Sequence, residues 1–147
     1  MEPKLFVAMK AFIVHDGKVL ILRESPKDTE RTNVGKYDVV GGRVKPGQRF
    51  DESLLREIHE ETGLAVKIGK PFHVDEWRPV VRGEPWQIVA AFFECSTKSD
   101  AVTLSDEHDD YRWIDPHAYR SYPLIENLTR AFDAYLTREG SSEVQPH

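Results

Sequence analysis

The sequence predicts a single α/β (α+β) domain in which a mixed β-sheet carries helices on its faces. Three observations lead there. Apolar, β-branched runs of strand length stand before, between and after two stretches of helical periodicity, and such elements bury their apolar sides most simply against one another. The chain has 147 residues, which suits one core and is short for two. Its 39% hydrophobic and 31% charged residues suit a folded chain in water rather than a disordered one. The domain is expected over 1–140, with 141–147 as a frayed tail.

In chain order, Leu5 to Val14 is a strand, His15-Asp16-Gly17-Lys18 a turn, and Val19 to Leu22 the returning strand, a hairpin on an Asp-Gly signal. Glu24 to Lys36 is polar, holds Pro26, Asn33 and Gly35, and is expected as a loop. Tyr37 to Val40 is a short strand that runs into Gly41-Gly42. From Asp51 to Thr62 the spacing of Leu54, Leu55 and Ile58 predicts a helix, and Gly63 followed by apolar Leu64 is its stop. Leu64 to Val81 and Trp86 to Cys95 are expected as strands around a turn at Arg82-Gly83-Glu84-Pro85. Tyr111 to Ile114 is a further strand. Leu124, Ile125, Leu128, Ala131, Phe132, Tyr135 and Leu136 form the stripe of a second helix that closes near Gly140.

Composition narrows the function. Twenty Lys and Arg against 25 Asp and Glu give a net charge of −5, which argues against a general grip on a nucleic-acid polymer. The single Cys95 has no internal disulfide partner, no Cys/His pair has zinc-finger spacing, and Cys95 reads as a buried small hydrophobe. No apolar run approaches the ~18 residues of a membrane span. The expected setting is cytoplasmic.

One segment carries chemistry: Arg56-Glu57-Ile58-His59-Glu60-Glu61. At ~100° per residue, Glu57, Glu60 and Glu61 share an arc of about 100°, beside an apolar stripe of Leu54, Leu55 and Ile58. Like charges at these spacings cost a few tenths of a kcal/mol per exposed pair. Hard oxygen ligands on one helix face suit Mg²⁺ or Mn²⁺, which bridge to substrate phosphates. An acidic run is also what a solvated helix face looks like, and the surrounding residues decide between the two.

The stretch from Gly42 to Leu64, G-R-V-K-P-G-Q-R-F-D-E-S-L-L-R-E-I-H-E-E-T-G-L, resembles the Nudix box, G-x5-E-x7-R-E-U-x-E-E-x-G-U with U aliphatic. Gly42, Arg56, Glu57, Ile58, Glu60, Glu61, Gly63 and Leu64 match at the right spacing; Gln48 stands where the family has its first Glu. The flanking order of elements extends the resemblance over most of the chain. It implies a Nudix-like α/β/α sandwich and a pyrophosphohydrolase that uses Mg²⁺ or Mn²⁺ to direct water at the phosphorus of a nucleoside di- or triphosphate derivative. It also implies Glu57, Glu60 and Glu61 as metal ligands, Gly42 as a backbone-carbonyl ligand, and Arg56 as a residue that orients the carboxylates. A small nucleotide is the implied partner, and homodimers are common in the family.

Arg56 is expected to project about 100° from Glu57 and grip the loop before the helix. Gln48 would turn an ion pair with it into a neutral contact. A nucleotide-binding or sensor module with weakened catalysis is the rival that Gln48 raises. In the acidic cluster Asp106 to Asp110, Glu107 is the candidate for an extra ligand or the base, against a plain solvated loop. Arg23 is a weaker candidate for substrate phosphate. His59 is expected at the surface. Trp77, Trp86 and Tyr37 are either base-stacking or packing residues, and Tyr37 and Val40 replace a common Trp and Pro. Pro79 lies near a spacing associated with ADP-ribose hydrolysis, and base selectivity is expected in loops such as Glu24 to Lys36 and Lys98 to Asp110.

Overall fold

The computed structural model describes residues 1–26 and 35–144. Most of the predicted loop from Glu24 to Lys36 lies outside the described residues.

The chain begins with β1 (Lys4–His15) and β2 (Lys18–Glu24), joined by Asp16 and Gly17 at φ 50° and 75°. Both turn residues have positive φ, which matches the right-handed twist of the flanking strands. The predicted strand at Tyr37 is two strands. β3 (Tyr37–Asp38) pairs with β2, and β4 (Val40–Arg43) pairs with β1. The break has a local cause: Asp38 accepts the Val39 backbone N–H at 2.7 Å through its own carboxylate and takes Lys10 Nζ at 2.7 Å. A side chain that caps the next amide diverts that amide from the ladder.

After α1 (Phe50–Thr62) come β5 (Lys67–Trp77), β6 (Val80–Val81) and β7 (Glu84–Ser96). The turn expected over four residues contracts to Arg82 and Gly83, both at positive φ, while Glu84 and Pro85 already pair with Val81 and Val80. β8 (His108–Ile114) starts three residues before the predicted strand and is followed by a 3₁₀ segment, Pro116–Ser121. Asp115 caps that segment by accepting the His117 N–H. The last helix, α2 (Glu126–Val144), runs past Gly140 instead of closing there, so much of the expected tail is helical. A glycine inside a helix costs only about 1 kcal/mol and keeps its amide in the hydrogen-bond ladder.

The sheet order is β3-β2-β1-β7-β5, with β8 on β2, β4 on β1 and β6 on β7. β1 pairs in parallel with β7 from Lys4↔Trp86 to Val14↔Ser96, and the other named pairs are antiparallel, which makes the sheet mixed. Alternation along β1 and β2 sorts the core into two layers. Phe12, Val19 and Ile21 face α2, where they meet Leu128, Ala131, Phe132 and Tyr135. Ala11, Ile13, Leu20 and Leu22 face α1, where they meet Leu54, Ile58 and Leu64. The result is the α/β/α sandwich that the resemblance implied. Cys95 is fully buried in the second layer, and burial pushes its thiol up to about 12, so it acts there as an apolar filler.

Candidate active site

α1 begins after Arg49, whose side chain makes no cap hydrogen bond, and carries Asp51 and Glu52 in its first turn, where they complement the helix dipole. It ends at Gly63, which at φ 73° takes the left-handed conformation and returns its N–H to the His59 carbonyl. Between these ends the three carboxylates differ sharply in exposure. The Glu60 side chain is 59% exposed, that of Glu57 25%, and that of Glu61 10%. The helical wheel explains the order, because Glu61 falls only about 20° from Leu54. Leu55, assigned to the apolar stripe from its spacing, is 40% exposed. It sits about 60° beyond Ile58 on the wheel, past the edge of what the sheet covers. His59 is exposed, as expected.

β4 brings Gly42 against this face. A Cβ built on Gly42 would stand 3.1 Å from the Glu57 carboxyl carbon and 3.3 Å from both its oxygens. The absent side chain is what lets the Gly42 backbone approach that carboxylate. Burial raises the pKa of Glu57, and the charges of Glu60 and Glu61 raise it further, with Arg56 and Lys45 opposing. The ionised form of Glu57 is therefore disfavoured first by burial and then by two neighbouring carboxylates, which Arg56 and Lys45 do not fully offset.

Arg56 does not grip the preceding loop. Its guanidinium lies along the helix, with Nη2 3.8 Å from Glu57 and Nε 3.9 Å from Glu60. Two carboxylates on its own helix offer more to a guanidinium than a neutral amide does. Gln48 turns elsewhere: its Oε1 accepts the Lys45 N–H at 3.0 Å and faces Ser53 Oγ at 3.5 Å, tying the loop to the first turn of α1.

Glu61 is approached from the other side by the segment leading into β8. Thr103 N–H binds the Thr62 carbonyl at 2.9 Å, and Val102 and Leu104 pack on the α1 layer. This brings Ser105 Oγ to 3.1 Å from Glu61 Oε2 and His108 Nδ1 to 2.8 Å from the same oxygen. Glu107 joins them, its backbone carbonyl held by the Ser25 N–H at 2.9 Å. One ligand atom from each of Glu61, Glu107 and His108 lies within 4.8 Å of the others. Burial would raise the pKa of Glu61, but His108, Glu107 and Ser105 outweigh it and hold the carboxyl at about 2. His108 and Ser105 were missed in the sequence, where one stood inside the acidic run and the other just before it. Their signal was the start of strand alternation at His108.

Arg23 stands at the end of β2 with Nε donating to Asp109 at 2.7 Å and its guanidinium 5.9 Å from the Tyr37 ring centroid. Tyr37 is buried in the core with its hydroxyl on Asp110, and Trp77 packs against the same layer. Trp86 packs against Phe6 with ring centroids 4.6 Å apart, under the Arg43 guanidinium. Pro79 accepts the Trp86 N–H at the tip of the β5–β7 hairpin. No described helix is long and apolar enough to cross a membrane.

A sandwich of this topology, with a carboxylate-bearing helix under a Gly-Gly strand, agrees with the box the sequence resembles and so with a class of hydrolase that cleaves pyrophosphate bonds. The family model described as the NUDIX domain matches residues 4–136, and the chain belongs to the Nudix family. A nucleoside triphosphatase, NudI of Escherichia coli K12, is 30% identical over 119 residues, covering 76% of this chain and 83% of that protein. The crystal structure of a MutT protein from Methanosarcina mazei Go1 superposes with a TM-score of 0.80 at 28% identity, over 95% of this chain and 98% of that one. A Caenorhabditis elegans Ap4A hydrolase shares the fold, with a TM-score of 0.66 at 16% identity, over 94% of this chain and 98% of that one. The chain is a hydrolase acting on phosphoric anhydride bonds.

Proposed function

We propose that this protein is a divalent-cation-dependent pyrophosphohydrolase whose substrate is a nucleoside di- or triphosphate derivative, cleaved by attack of water on phosphorus. The observation that carries the reading is the bare Gly42 backbone set against the Glu57 carboxylate on a helix face shared with Glu60 and Glu61. These hard oxygen donors fit Mg²⁺ or Mn²⁺, and the ionised form of Glu57, disfavoured first by burial and then by its neighbours' charges, is one that such a cation would stabilise. Glu57, Glu60, Glu61 and the Gly42 carbonyl would hold the ions, and Glu107 would join them through Glu61. Bound cations supply neutralisation of the pyrophosphate and lower the pKa of water.

The chain's own residues do the rest. Arg56 lies 3.8 Å from Glu57 and 3.9 Å from Glu60 and draws both carboxylates toward it by charge. Ser105 donates to Glu61 and sets its rotamer. Gln48 braces the loop before α1 through Lys45 and Ser53, a task that needs an acceptor oxygen and no charge. This favours an active enzyme over the sensor module that Gln48 suggested. A phosphate contact by Arg23 competes with Asp109 for the guanidinium. The nucleoside triphosphatase relative supports a nucleoside triphosphate as the first substrate to try. A cytoplasmic enzyme with one buried thiol suits this reading.

The test is a panel of nucleoside triphosphates, an oxidised purine triphosphate, ADP-ribose and dinucleoside polyphosphates, assayed for phosphate or pyrophosphate release with Mg²⁺, with Mn²⁺ and with chelator. Cation-dependent release that collapses in Glu57→Gln and Glu60→Gln is the expected result. Turnover that survives chelation, or that both variants retain, overturns the reading.

A further inference from the structure

We propose that His108, Glu61 and Glu107 form a cation position with a nitrogen donor, which prefers Mn²⁺ and later first-row ions to Mg²⁺. The proposal rests on the reading of Glu61 as a cation ligand given above, and adds to it a residue outside the Nudix box.

Three features point the same way. The first is convergence: β8 starts at His108, and its first residues and the preceding Glu107 are fixed against Glu61 by the Ser25 and Thr103 backbone contacts. The ligand atoms of all three residues then lie within 4.8 Å of one another. The second is a misaligned contact. His108 Nδ1 is buried and makes no hydrogen bond among the described residues, although Glu61 Oε2 is 2.8 Å away. At that distance only direction excludes a bond, so the oxygen lies off the ring's N–H axis. The two still attract and His108 helps keep Glu61 ionised, but the misaligned contact leaves the nitrogen short of a directed hydrogen bond.

The third feature is the spacing itself. Neighbouring ligands of a six-coordinate ion with bonds of about 2.1 Å stand about 3 Å apart and do not point at each other. The His108 and Glu61 atoms stand in that relation. Ser105 Oγ donates to the same Oε2 at 3.1 Å, which uses one lone pair of the oxygen and leaves another.

The donor set decides the ion. Mg²⁺ takes oxygen ligands and keeps its waters, whereas imidazole suits ions further along the first row, whose affinity for nitrogen sites rises from Mn²⁺ onward. Glu57, Glu60 and the Gly42 carbonyl offer oxygen alone, so the two sides of Glu61 differ in chemistry. Loss of a direct ligand should cost at least what loss of an outer-shell partner does, about 10–100-fold in affinity.

The experiment uses the full chain without a polyhistidine tag and Mn²⁺ alone as the probe. Pulsed electron paramagnetic resonance of the Mn²⁺-loaded protein is expected to show hyperfine coupling to an imidazole nitrogen, absent in His108→Ala. Calorimetry is expected to show Mn²⁺ affinity falling at least about tenfold in that variant, with Mg²⁺ affinity unchanged. Mn²⁺ bound by the wild-type protein without nitrogen coupling overturns the proposal, and so does an equal loss for both ions. Nitrogen coupling together with hydrolysis that survives Glu57→Gln would leave this site standing and overturn the proposed function instead.

Discussion

α1 and α2 pack on opposite faces of one sheet, and the residues they bury differ in kind. α2 presses Leu128, Ala131, Phe132 and Tyr135 against Phe12 and Phe92. Phe12 alone lies 4.7 Å from the Phe132 ring centroid and 5.4 Å from that of Tyr135, so this layer is an aromatic cluster. α1 contributes Leu54 and Ile58, and beside them it buries Ser53, Glu61 and Thr62. A helix that gives part of its covered surface to a carboxylate forgoes apolar burial worth about 25 cal/mol per Å². The α2 layer is an apolar and aromatic packing face, and the α1 layer combines apolar packing with buried polar groups.

That division can be broken from either side, and the α2 side should give the larger change. Phe132→Ala removes a fully buried ring and should cost about 3–5 kcal/mol in denaturant unfolding. Its kcat, measured where the variant is still folded, should match the parent. A matching loss of kcat would mean that the two layers are not independent.

Glu57→Gln should do the reverse. Losing a carboxylate proposed to hold the cation is expected to lower the cation-dependent rate by about 100-fold or more, about 2.7 kcal/mol in the barrier. The cation-free protein should melt no lower than the parent, because the change removes one of three mutually repelling charges on the helix. A stability loss as large as that of Phe132→Ala would make Glu57 a structural residue.

The two layers were also unequally legible in the sequence. The box is a run of fixed spacings on one helix, so α1, its Gly63 stop and its three carboxylates were readable without any tertiary information. The α2 stripe was readable for the same reason. What escaped depends on contacts between distant segments or on one side chain overriding a pattern. Asp38 splits a strand by capping its neighbour's amide. Leu55 has core spacing but lies beyond the sheet's edge. His108 and Ser105 matter only because the segment before β8 folds over the end of α1 and delivers them to Glu61.

On the α2 side, an ion pair ties the helix to the sheet, and its effect should be smaller. Arg130 on α2 donates to Asp75 on β5 at 2.7 Å, and Asp75 also accepts the Glu76 N–H at 2.8 Å. Burial would raise the pKa of Asp75, but Arg130, the Glu76 amide and His73 outweigh it and hold the carboxyl below its ordinary value. A folded-state pKa below the unfolded one gives stability that is present above the unfolded pKa, about 3.9, and is lost as pH falls through the folded value. With Arg130 47% exposed and screened, the pair should be worth about 0.5–1 kcal/mol. Urea unfolding of Asp75→Asn should show that deficit at neutral pH, and it should vanish in acid. A deficit that persists in acid would assign the loss to packing.

The smallest change belongs at the hinge between the loop and the charged helix. Gln48 Oε1 caps the Lys45 amide, and Arg56 is engaged by Glu57 and Glu60 instead. A glutamate at 48 would keep the acceptor oxygen and add a charge near Lys45 and Arg49, which already pairs with Asp51. Exposed pairs of that kind are worth about 0–1 kcal/mol, so Gln48→Glu should change kcat/KM by no more than about fivefold. Gln48→Leu, which removes the acceptor, should have the larger effect, since the Lys45 amide loses its partner and the loop loses its tie to Ser53. If glutamate instead raised the rate by orders of magnitude, charge and not bracing would be what position 48 supplies, and the natural protein would be a weakened catalyst.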